Sequence, residues 1–131
     1  MAACCAWALC ACRSDAERAE QGRIANLAER IDRLRGADNA GKRPLLEALK
    51  TTQCLSPDAC ALKDLCVRAY EVHQRALDSI GSLQRLAAAD AGASAPVRER
   101  LQKAEQDLSS ARELGEKCAE EQVRTVRKVL M

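Results

Sequence analysis

Cys66 and Cys118 lie equally far from Gly92, at the centre of an Ala-Gly-Ala triplet at residues 91–93. If the chain folds back at that triplet as two antiparallel helices, the two sulfurs meet across the seam. A correct register must also bring apolar residues together at the other layers. Pairs equidistant from Gly92 are Leu83 with Leu101, Ile80 with Ala104, Ala76 with Leu108, His73 with Ala111 and Ala69 with Gly115. Their alternating steps of three and four residues match the seam of two helices packed at a shallow angle, as in a coiled coil. Pro96 suits a first helical turn, where a missing N–H costs nothing, and Gly92 suits the turn before it. The expected fold is therefore all-α: an elongated, disulfide-braced antiparallel hairpin.

The remaining periodicities add to this hairpin. Ile24, Leu27, Ile31 and Leu34 form one apolar stripe and predict a helix over 15–35, with Ser14 as its cap. The segment from Gly36 to Gly41 reads as its end. Leu45, Leu46 and Leu49 predict a short helix over 44–52 that starts at Pro44. The long arms run over 57–89 and 95–129, each about 50 Å at 1.5 Å per residue. Packing the first helix on the hairpin gives a three-helix bundle plus one short helix. Val123, Val126 and Leu130 continue an apolar edge on the last arm. Such an edge either covers the short helix or forms a surface for a protein partner.

Composition excludes several classes of function. The 131-residue chain has no Phe, one Trp (Trp7) and one Tyr (Tyr70), so stacking platforms for bases or sugars are nearly absent. Twenty-one basic against nineteen acidic residues give a net charge of +2, with the signs interleaved along the helices. That is the pattern of solvated helix faces rather than a nucleic-acid footprint. The basic stretch Arg124 to Lys128 complements the negative end of a helix dipole. His73 is the only histidine and falls on or beside the seam, about two turns from Cys66, too far for direct proton transfer. Cys60, Cys66, His73 and Cys118 can be written as a zinc set, but their spacing lacks the close ligand pairs of structural zinc sites. No metal, cofactor, small-molecule substrate or catalytic constellation is expected.

Residues 1–12 carry no charge and no helix breaker, and the first charged residue is Arg13. Twelve apolar residues are too few to span a bilayer, which needs about twenty, but they suit the apolar region of a secretory signal. The run ends Leu9-Cys10-Ala11-Cys12, which resembles the lipobox of bacterial lipoproteins. Leu9, Ala11 and Cys12 match that motif, while Cys10 stands where Ala or Ser is usual. The resemblance implies a signal segment at 1–11, a lipid on Cys12, and a single mature helical domain at 12–131 anchored to a membrane of the cell envelope. Arg13 and Ser14 lack the aspartate associated with inner-membrane retention, which favours the outer membrane.

With the leader removed and Cys12 lipidated, four cysteines remain: Cys54, Cys60, Cys66 and Cys118. An even count in a small exported domain reads as two disulfides. The hairpin register selects Cys66–Cys118 and leaves Cys54–Cys60. Ser56-Pro57-Asp58 reads as a cap, first position and first-turn acid, so the second link would clip the incoming strand to a helix start. The expected function is non-catalytic, through contact with an envelope protein or as a structural spacer. The alternative is a cytosolic thiol or metal-binding helical protein, a metal buffer or redox sensor that keeps its cysteines reduced.

Overall fold

The computed structural model describes residues 13–89 and 94–131. The leader, Cys12 and the triplet at 91–93 lie outside the described residues. Four helices follow in order: α1 (Asp15–Gly36), α2 (Asn39–Lys50), α3 (Pro57–Ala89) and α4 (Ala95–Leu130). No strand occurs among the described residues. The helices start where local chemistry caps their free N–H groups. Ser14 and Glu17 form a reciprocal capping box on α1, with the Ser14 N–H donating to Glu17 Oε2 at 2.8 Å and the Glu17 N–H to Ser14 Oγ at 3.2 Å. Ser56 Oγ accepts from the Ala59 N–H at the start of α3.

The start of α2 differs from the sequence expectation. The helix begins at Asn39 rather than Pro44, because Asp38 caps it through Oδ1 on the Gly41 N–H at 2.7 Å. Pro44 therefore sits inside the helix. The C-terminal carbonyls of α2 are gathered by a lysine of the next helix. Lys63 Nζ donates to the Thr52 carbonyl at 3.0 Å and to that of Lys50 at 3.4 Å.

α3 and α4 form the antiparallel hairpin, sealed where Cys66 bonds Cys118. Ala69, Ala76, Leu83, Ala104 and Ala111 are buried along its seam, and Ile80 and Leu108 are half-buried. Leu101, expected opposite Leu83, is exposed, because no other helix covers that end of the pair. The small seam residues bury little area individually, so the larger core lies elsewhere. It is centred on Ile24, Leu27, Ile31 and Leu34 of α1, Leu46 and Leu49 of α2, and Ala59 and Leu62 of α3, packed around the disulfide.

Long-range contacts define the helix directions. Glu20 lies beside Ser56, and Arg35 beside Tyr70, so α1 runs parallel to α3. Gln21 Nε2 donates to the Val129 carbonyl and Gln122 Nε2 to that of Ala28, so α1 is antiparallel to α4. Arg43 pairs with Asp78 and Lys50 with Glu71, which makes α2 antiparallel to α3. All four helices are therefore together at the disulfide end. Past Asp78 the hairpin continues as two helices alone, with Leu86 and Leu101 exposed.

Candidate functional site

The chain's features converge on one end of this rod. Cys54, in the loop that enters α3, is bonded to Cys60 in the first turn of that helix, and the buried Cys66–Cys118 bond lies further along α3. Arg13, the first described residue, reaches the last turn of α4, where its Nη2 donates to the Leu130 carbonyl at 3.3 Å. Lys128 Nζ holds Asp58 Oδ2 at 2.6 Å and ties the end of α4 to the start of α3. The hydrogen bond and charge of Lys128, with Arg124 nearby, hold the Asp58 carboxyl below its ordinary pKa.

The last three turns of α4 divide into two faces. Cys118, Gln122 and Thr125 point inward and are buried, and Val126 and Val129 pack partly buried against the core. Gln122 faces α1: its Nε2 donates to Asp32 Oδ1 at 2.9 Å, and its Oε1 accepts from Arg35 Nη2 at 2.6 Å. The other face is open to solvent. The apolar edge expected at Val123, Val126 and Leu130 is thus split, with Val126 going to the core while Val123 is 57% exposed and Leu130 67%.

A shallow groove on the open face is lined by Ala119, Glu120, Val123, Arg124, Arg127, Lys128 and Met131. Arg124 pairs with Glu121 within the helix. From Gln122 to Met131 the sequence carries three cations and no acid. The surface is apolar at its centre and mixed in charge around it, with Glu120 on the rim and Arg124 and Lys128 already in ion pairs.

The sulfur and imidazole groups weighed for metal binding serve other ends. Cys60, Cys66 and Cys118 are all in disulfides. Among the described residues no group of three or more histidines, cysteines or acids is placed to hold a metal ion. His73 is half-buried beside a small cavity between α3 and α4, shared with Tyr70, Arg112 and Gly115. Burial, followed by the charge of Lys42, pushes the His73 pKa below its ordinary value. Burial also raises the Tyr70 pKa, opposed by the neighbouring Arg35. No helix among the described residues is long and apolar enough to cross a membrane.

Sequence reasoning missed Gln122, Thr125 and Lys63. Polar seam residues give no signal in an apolar pattern, and each of these is turned inward by a partner or neighbour from another element or turn. No protein-family model, curated protein or solved structure matches the chain.

Proposed function

We propose that this chain is a lipid-anchored helical spacer of the cell envelope, tethered through Cys12, that works by contacting other envelope proteins or setting a distance between components, without catalysis. Two disulfides suit a non-reducing, extracytoplasmic compartment, and they brace a domain whose core is mostly Ala, Leu and Ile. The observation that carries the reading is the contact of Arg13 with Leu130. A lipid on the residue before Arg13 would leave the molecule at the four-helix end. The two-helix end would then project up to about 50 Å away, the length of one arm. The lipobox resemblance favours the outer membrane as the site of anchoring.

The test is the intact mass of protein taken from the native membrane fraction, before and after reduction. The expected species starts at Cys12, carries a lipid adduct and gains four protons on reduction. A chain that retains residues 1–11, carries eight free thiols and binds zinc stoichiometrically would replace this reading with the cytosolic thiol or metal-binding one. A Cys12→Ser variant should lose the adduct and leave the membrane fraction.

A further inference from the structure

We infer that the Cys54–Cys60 bond is a reversible thiol–disulfide exchange site, which reacts with a dithiol while the fold around it stays closed. The inference goes beyond the anchored-spacer reading, which supplies only the compartment in which the dithiol is met. The two disulfides are placed in opposite ways. Cys66 and Cys118 are both 0% exposed, inside the core where all four helices come together. Cys54 and Cys60 are half-buried, with Cys54 resting against the edge of that core. Leu55, the residue after Cys54, is 66% exposed, so the ring closed by this bond stands at the surface. Exchange requires a thiolate to reach a sulfur, and access therefore favours Cys54–Cys60 over the sealed bond.

The reaction is a two-electron exchange. A thiolate of the dithiol bonds to one sulfur of the pair, and the S–S bond breaks with its electrons leaving on the other sulfur. The second thiol of the reagent then attacks the mixed disulfide. Cys54 and Cys60 end as thiols holding the two protons that the dithiol gave up, and the reagent ends as a disulfide. A sulfur that carries negative charge well leaves faster. Cys60 lies in the first turn of α3, where free N–H groups and the helix dipole favour an anion. Asp58 is the acid of that turn, and Lys128 offsets its charge in an ion pair.

Reversibility comes from contacts that do not pass through the sulfurs. Before Cys54, the Thr52 carbonyl accepts from Lys63 Nζ at 3.0 Å. After it, Ser56 Oγ accepts from the Ala59 N–H, the Ser56 carbonyl accepts from the Cys60 N–H at 3.0 Å, and Glu20 lies beside Ser56. Cys54 is thus flanked by anchored residues two positions away on either side, and Cys60 is anchored through its own N–H. The opened thiols stay placed to close again. The bond spans only 6 residues against 52 for Cys66–Cys118, so opening it forfeits the smaller share of disulfide stabilisation.

The test treats the full oxidised chain with dithiothreitol under native conditions, traps free thiols with N-ethylmaleimide at intervals and maps the labelled peptides. A parallel arm uses reduced thioredoxin at equal dithiol concentration. Faster opening there assigns the exchange to a protein dithiol, and faster opening by dithiothreitol assigns it to a small one. The expected first product is labelled at Cys54 and Cys60 with Cys66–Cys118 intact. It should form at least about a hundredfold faster than the product labelled at all four. Its circular dichroism should match that of the starting chain, and removing the reagent and adding oxidised glutathione should restore the bond. The inference is overturned if Cys66–Cys118 opens first, if both bonds open together, if helix is lost with the first bond, or if Cys54–Cys60 fails to re-form. The anchor is read separately from the mass of the same sample before reduction. Ordered opening without an adduct on Cys12 keeps the exchange site and removes the anchor, and an adduct without ordered opening does the reverse.

Discussion

Gln122 and Asp32 meet across the α1–α4 interface, ninety positions apart in the chain, with Gln122 Nε2 donating to Asp32 Oδ1 at 2.9 Å. Arg35 closes the triangle by donating to Asp32 Oδ1 at 2.8 Å and to Gln122 Oε1 at 2.6 Å. The amide is thereby oriented, with its oxygen toward the guanidinium and its nitrogen toward the carboxylate and the Ala28 carbonyl. This cluster sits between apolar layers and sets the register of α1 on the hairpin. Gln122→Ala should cost about 1–2 kcal/mol in a urea titration, because it opens space and leaves partly buried partners unsatisfied. Gln122→Leu refills the space and should cost less. If Gln122→Ala proves neutral, the triangle is decoration on a register held by Ile24, Leu27, Ile31 and Leu34 alone.

The two disulfides differ in the loop they close. Cys66–Cys118 spans 52 residues and Cys54–Cys60 spans 6. By chain entropy the first should stabilise by about 4 kcal/mol and the second by about 2 kcal/mol. Replacing Cys66 and Cys118 together by Ser should therefore lower stability by a large part of the total for a domain of this size. Replacing Cys54 and Cys60 should leave a folded helical protein with a looser entry into α3. Circular dichroism with urea titration of both double variants checks the order, and equal losses would show that loop length does not set the difference between them.

Much of the hairpin was legible because its signals are local and redundant. The turn triplet, the equal cysteine spacing and the small-residue seam all name the same register. The start of α2 was less legible. Gly41 reads as part of the break after the first helix and Pro44 as the first position of the second, yet Asp38 caps a helix ahead of both, and the side chain of Lys42 donates to the Ala37 carbonyl to hold the tight link. On α4, counting apolar residues selects Val123, Val126 and Leu130, whereas the buried line runs through Cys118, Gln122 and Thr125. Continuing the seam's alternating steps of three and four beyond Cys118 reaches residues 122 and 125, so the positions were legible in the periodicity although their polar residue types were not. Gln122 turns inward because α1 brings Asp32 and Arg35 to it, and this pairing exists only once the helices are assembled.

His73 predicts a pH dependence. Its neutral form is favoured in the fold by burial and by Lys42, with the cationic Arg112 also beside the cavity. The folded pKa lies below the ordinary 6.5, so at pH values under 6.5 the unfolded chain takes up a proton that the folded chain resists. Stability should be flat above that range and fall as the pH drops through it. His73→Gln should remove this phase. Asp58 acts with the same sign but lower, around and below its ordinary 3.8, because Lys128 stabilises its charged form in the fold. Urea midpoints measured between about pH 7.5 and 5 separate the two groups. A slope that persists in His73→Gln would assign the effect to another residue.

Gly115 offers a stabilising substitution on the hairpin seam. It lies within α4 opposite Ala69 and borders a cavity of about 300 Å³ with Tyr70, His73 and Leu108. A methyl group built there meets no atom within 4 Å, so close helix approach does not require the glycine. Gly115→Ala should raise stability by about 0.5–1 kcal/mol, by reducing the freedom of the unfolded chain and partly filling the cavity. Gly41 is the contrasting case. Its added carbon would sit 2.9 Å from Asp38 Oδ1, the atom that caps α2, so Gly41→Ala gains helix propensity but displaces the cap. Parallel urea titrations should show a gain for Gly115→Ala and none for Gly41→Ala. A loss at Gly115 would mean that the helices approach more closely there than the cavity allows.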